Sequence, residues 1–136
     1  MRKLGLCLAL ATAFVAVPAA AASPTVRLAI IHAVQGCHVW GTTDAQPLGP
    51  TRTLVLKPGT RVSIRVSCPM AFDVVQLAGP KLALGNPRWQ TGTAHTLAFP
   101  KKGLYRLKAT NVQTSVEQGL ETLGPDNTLL LTVRVR

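Results

Sequence analysis

The chain has 136 residues, enough for one domain with a modest core, and 47% of them are hydrophobic against 15% charged. Lys and Arg outnumber Asp and Glu by 15 to 5, for a formal net charge of +10. The few carboxylates are scattered, with no paired-carboxylate or Ser-His-Asp arrangement at telling spacing, and Gly36 and Gly41 do not make a phosphate-binding loop, so an enzyme is not expected.

Residues 1–22 read as a secretory signal peptide. Met1-Arg2-Lys3 is a basic start, Leu4 to Val17 an apolar run too short to span a bilayer, and Ala20-Ala21-Ala22 a small-residue exit. The expected mature domain is residues 23–136, periplasmic or secreted, without a transmembrane segment and without Cys7, which leaves with the signal. It keeps 13 basic and 5 acidic residues, a net charge of +8 that suits a membrane face, an acidic protein partner or nucleic acid. Nucleic acid is not expected: the aromatic platforms are few (Trp40, Phe72, Trp89, Phe99, Tyr105), and no basic cluster is denser than Lys101-Lys102.

In chain order, Val26, Leu28 and Ile30 alternate with Arg27 and Ala29 as a first strand, and His32 falls on the apolar parity. Residues 42–50 are turn-rich and read as loop. Thr53 to Lys57 is a second strand. Pro58-Gly59 then supplies the preset φ and the positive φ of a type II turn. From Arg61 to Ser67 the alternation is strict, Val62, Ile64 and Val66 inward and Arg61, Ser63, Arg65 and Ser67 outward, the pattern of a half-buried antiparallel strand. Phe72 to Leu77 makes the next strand, residues 79–93 hold too many Gly and Pro for a helix, and His95, Leu97 and Phe99 share one parity. Tyr105, Leu107 and Ala109 follow, with Arg106 and Lys108 outward. Thr114 or Ser115 is placed to cap a helical turn or two, and Thr128 to Arg136 closes the chain as a strand with Leu129, Leu131, Val133 and Val135 inward. Roughly seven short strands at regular spacing predict an all-β Greek-key sandwich.

Two stretches carry a resemblance. Leu56-Lys57-Pro58-Gly59-Thr60-Arg61-Val62-Ser63-Ile64 resembles the strand–Pro-Gly–strand signature of cupredoxins, the plastocyanin-like sandwiches. His95-Thr96-Leu97-Ala98-Phe99-Pro100-Lys101-Lys102-Gly103-Leu104-Tyr105 resembles their later hairpin. Gly36-Cys37-His38-Val39-Trp40 and Thr122-Leu123-Gly124-Pro125-Asp126-Asn127 look like small exported bacterial members of that group. The resemblance implies a cupredoxin-like fold, copper and electron transfer. It also implies a copper-binding His near Phe72-Asp73 and a Cys-His-Met cluster near the C-terminus. The first position offers Asp73, and Thr96 to Arg136 contains no Cys, His or Met, so the usual trigonal site has no ligands in its usual places.

The donors left are His32, Cys37, His38, Cys68, Met70 and His95. Thiolate and thioether select soft ions, Cu(I) foremost, and imidazole accepts both copper states, so His38, Cys68 and Met70, with Cys37, are the candidate copper ligands. The competing reading is a Cys37–Cys68 disulfide in a metal-free module that binds a protein partner, since an even cysteine pair in an oxidising compartment is most simply a bond. His32 and His95 are expected to be hydrogen-bonded inner residues, Trp40 and Trp89 core or loop anchors, and Asp73 a partner of loop amides.

Overall fold

The computed structural model describes residue 16 and residues 18–32, 38–112 and 128–136. The expected signal peptide, the helical cap at Thr114 or Ser115, and Cys37 lie in whole or in large part outside these residues. No described residue is helical, and no described helix is long and apolar enough to cross a membrane.

Ten strands form: β1 (Thr25–His32), β2 (His38–Gly41), β3 (Pro47–Gly49), β4 (Thr51–Leu56), β5 (Arg61–Val66), β6 (Ala71–Ala78), β7 (Arg88–Trp89), β8 (Ala94–Ala98), β9 (Gly103–Val112) and β10 (Thr128–Val135). They make two five-stranded sheets, ordered β3-β2-β1-β5-β8 and β4-β10-β9-β6-β7. Each sheet is mixed, with β1 parallel to β5 and β4 parallel to β10, while the other pairs are antiparallel.

The all-β sandwich is the predicted one, but its strands exceed the seven expected by β2, β3 and β7. Residues 42–50 are not wholly loop, since Pro47–Gly49 pairs with β2. These pieces are too short to show a period of their own. Their hydrogen bonds come from a longer neighbour, and Pro47 is tolerated because β3 is an edge strand. The strict alternation of Arg61–Val66 correctly places one face inward, yet the strand has an antiparallel partner, β8, on one side and a parallel one, β1, on the other.

The inward faces fuse into one core. Leu28, Ile30, Trp40, Leu54, Leu56, Val62, Ile64 and Val66 meet Phe72, Val74, Leu97, Phe99, Tyr105, Leu107, Leu129, Leu131, Val133 and Val135 there, all buried. Each such large side chain contributes about 1.5–3 kcal/mol of transfer free energy. Arg61, Arg65, Arg106 and Arg134 are exposed and Lys108 half-buried, as their parity demands. Trp40 ties the sheets together: its indole N–H donates to the Leu130 carbonyl at 3.0 Å.

The strand directions define two ends. At one, Gly59 has φ +82° and the Thr60 N–H donates to the Lys57 carbonyl at 3.1 Å, closing the type II turn read from Pro58-Gly59. Phe99 and Tyr105 meet edge to face there at 5.0 Å, and the Tyr105 hydroxyl donates to the Lys101 carbonyl at 2.6 Å. Gly79, on the way out of β6, also needs its hydrogen. A Cβ there would stand 2.5 Å from the Leu104 carbonyl oxygen, at φ +102°. At the other end β1, β5 and β9 finish and β2, β6, β8 and β10 begin. That end gathers His32, His38, Cys68, Met70 and Asn111.

Candidate metal site at the loop end

His38 opens β2, and its register partner is His32, the last residue of β1. Two positions further along, Ile30 faces Trp40, and both of these point into the core. By the period of two, His32 and His38 therefore lie on the inward face as well. His38 is 1% exposed. Its ring centre is 5.4 Å from that of Phe72 across the sandwich and 5.4 Å from that of His32, with edge contacts at 81° and 71°.

Neither ring nitrogen of His38 has a hydrogen-bond partner among the described residues. Leaving such a group dry and unpaired costs about 1–3 kcal/mol. Burial, and secondarily the charge of His32, holds the His38 pKa below the ordinary imidazole range. Near neutrality the ring is therefore the free base, the form that binds metal.

His32 is exposed, a correction to its expected place as a hydrogen-bonded inner residue. Its parity is inward, but it sits on the last rung of the strand, where the sandwich has opened to solvent. His95 does meet that expectation. It is half-buried, stacks on Trp89 at 5.7 Å, and its Nε2 accepts the Gln90 N–H at 3.3 Å. Trp40 and Trp89 are buried anchors, as expected.

Cys68-Pro69-Met70 forms a tight turn. The Met70 N–H donates to the Cys68 carbonyl at 2.8 Å, and the intervening proline, with φ fixed near that of a γ-turn, suits the bend. Thr91 braces it: its hydroxyl reaches the Cys68 carbonyl at 2.5 Å and the Met70 carbonyl at 3.2 Å. The Cys68 side chain is 1% exposed, within the core, and its thiol is free. Burial pushes that thiol up, against smaller opposing contributions from backbone N–H groups, which favours the protonated form.

Met70 is half-buried against the core edge, and its Sδ lies 2.9 Å from the Asn111 amide nitrogen, which donates to it. Asn111 faces Phe72 in the β6–β9 ladder. The sequence reading gave a role to neither Thr91 nor Asn111, and no local signal pairs either with Met70. Beside the turn lies a shallow cleft of about 320 Å³, lined by Pro69, Met70, Ala71, Gln90 and Thr91.

Asp73 bonds no loop amide among the described residues, a correction to its expected role. It forms a two-pronged ion pair with Arg88 on the paired strand β7, at 2.8 and 3.1 Å, and that hydrogen bond holds its carboxyl below the usual range. It is one residue out of phase with core-facing Phe72, so it points away from the site. No group of three or more His, Cys, Asp or Glu side chains able to hold a metal occurs among the described residues. The donors this end does offer are borderline and soft: the imidazoles of His38 and His32, the thioether of Met70 and, within the core, the thiol of Cys68. That set suits copper and does not suit a hard cation.

No family model matches the sequence, and no curated protein matches it. Among solved structures, reduced amicyanin, in a single-substitution variant, overlays with a TM-score of 0.46 at 19% identity, covering 86% of this chain and 87% of its own. A purple cupredoxin from Nitrosopumilus maritimus gives 0.45 at 18% identity, over 79% of this chain and 98% of its own. A cysteine protease inhibitor from Entamoeba histolytica gives 0.43 at 15% identity, over 84% and 97%. The fold is an all-β sandwich of two five-stranded sheets. The two packed sheets are the all-β sandwich expected from the sequence, whereas the parallel pairs β1–β5 and β4–β10 were not foreseen in its alternation. The loop end of the sandwich carries His38, Met70 and Asn111.

Proposed function

We propose that the protein is an exported cupredoxin-like copper-binding protein, periplasmic or secreted, that carries or buffers the metal at a non-standard soft site and is not an enzyme. The residues that would hold the ion are His38, Met70 and the Cys68 thiolate, with Cys37, outside the described residues, as a further candidate. The observation that carries this reading is His38, a buried, free-base imidazole whose two nitrogens have no partner among the described residues. Two further features support it: the Cys68 thiol is free, and the Met70 thioether ends the same turn. Copper, when bound, supplies a soft cation. The chain supplies the donors, the release of the thiol proton, and a proline turn that fixes the spacing of the two sulfur residues.

The test is an anaerobic Cu(I) titration of the mature protein against a competing chelator. Cys68→Ser and Met70→Leu are each expected to weaken binding. Met70→Leu should do so with little loss of fold, because the volume is nearly kept. Equal affinity in wild type and both variants would discard the soft site and leave the metal-free, partner-binding module as the reading.

A further inference from the structure

We propose that His32 and His38 form a second kind of site, a two-imidazole chelate for a borderline divalent cation of the zinc or copper(II) class, open to solvent on the His32 side. It shares His38 with the soft site and does not need the sulfur donors.

The register carries the geometry. His32 and His38 are direct partners at the last rung of the β1–β2 ladder, and directly opposed residues on one face have their Cβ atoms about 4.5–5.5 Å apart. Both imidazoles therefore project from the same edge of the sheet toward the same volume. Their ring centres are 5.4 Å apart. Imidazole nitrogens bind such ions at about 2.0–2.1 Å, so two rings sharing one ion at a near-tetrahedral angle have centres roughly 5–5.5 Å apart. The observed spacing falls in that range without moving the backbone.

His38 is 1% exposed, yet neither of its nitrogens meets a donor or acceptor among the described residues. An edge contact to His32 and another to Phe72 satisfy the ring faces and edges but not the nitrogens. A cation shared with His32 satisfies one of them. His32 itself is exposed, so the ion reaches the pair without opening the core, and solvent can fill the remaining coordination positions.

The chemistry selects the ion class. Two neutral nitrogens and no carboxylate suit Zn(II), Cu(II) or Ni(II) over Ca(II) or Mg(II), which require oxygen. Asp73 is held by Arg88, and the His95 Nε2 is taken by the Gln90 N–H, so neither joins the set.

The protein has three histidines, so the imidazole nitrogens can be followed one by one by NMR. The probe is Zn(II), added to the mature wild-type protein and to His32→Gln. The expected result is a saturable shift of the His32 and His38 nitrogens together, with those of His95 still. His32→Gln should weaken binding by at least the roughly 10–100-fold that even outer-shell changes cost a metal site. Since His32 is exposed, that variant should keep the wild-type fold, seen in an unchanged amide spectrum. His32→Gln should keep the Cu(I) affinity of the soft site while losing Zn(II), and this separates a failure here from a failure of the soft site. Equal Zn(II) affinity in wild type and His32→Gln, a shift confined to His38, or no binding at all would overturn the proposal.

Discussion

The two ends of the sandwich are made of the same strands and finished in opposite ways. At the Gly59 end every prominent polar group has a partner: the Thr60 N–H closes the turn onto Lys57, the Gly59 N–H and Thr60 carbonyl bind the Phe99 backbone, and the Tyr105 hydroxyl binds Lys101. At the His38 end an imidazole is buried with no partner for its nitrogens among the described residues, a thioether accepts an amide N–H, and a thiol is free. The first end is finished for stability. The second leaves donor groups under-satisfied, which is the condition of a site that gains from a ligand.

Breaking the finished end should have the largest effect. Phe99 is fully buried, so Phe99→Ala should destabilise by about 3–5 kcal/mol in urea unfolding of the metal-free protein. The counterpart at the other end is His38→Leu, which replaces a buried ring whose nitrogens have no hydrogen-bond partner among the described residues with an apolar side chain. Metal-free stability should then be unchanged or higher, because a polar group that makes no hydrogen bond is removed. A loss comparable to Phe99→Ala would mean that His38 has a structural partner, and the contrast between the ends would fail.

Next in size is Tyr105→Phe, which keeps the ring against Phe99 and deletes the hydroxyl that donates to Lys101. About 1 kcal/mol should be lost in the same assay, with no change in metal affinity.

A smaller effect lies in pH. His38 and His95 both have folded-state pKa values lowered by burial, so the unfolded chain takes up their protons first on acidification. Stability of the metal-free protein should hold above about pH 6.5 and fall as pH drops through the folded-state values below it. In His38→Leu the slope should be shallower, leaving the share of His95. A stability that rises on acidification through this window would contradict the burial argument.

The contrast between the ends also explains what could be read from the sequence. Val62, Ile64 and Val66, or Leu129 to Val135, announce their inward face by alternation, and Pro58-Gly59 announces its turn because both residues act on their own φ. Such signals are local, and the fold was legible from them. The strands β2, β3 and β7 are held by neighbours, not by their own pattern, and so did not show. The candidate site was legible only as a list of donors. His38 and Met70 stood in the sequence reading. The facing of His32 onto His38 depends on a ladder register, and the hydrogen bond from Asn111 to Met70 joins residues 41 positions apart. Asp73 was misread for the same reason: its partner, Arg88, is 15 positions away on a strand too short to be seen.

The most direct test of the account is whether copper stabilises the fold through the unfinished end. Urea unfolding of the mature protein, reduced and anaerobic, would be followed with and without excess Cu(I), for wild type and His38→Leu. A ligand that binds only the native state raises its stability by RT ln(1 + [L]/Kd), so an excess of about 100 times Kd adds about 2.7 kcal/mol. The account predicts a clear rise in the wild-type midpoint and little or none in His38→Leu. An equal rise in both proteins, or none in wild type, would contradict it.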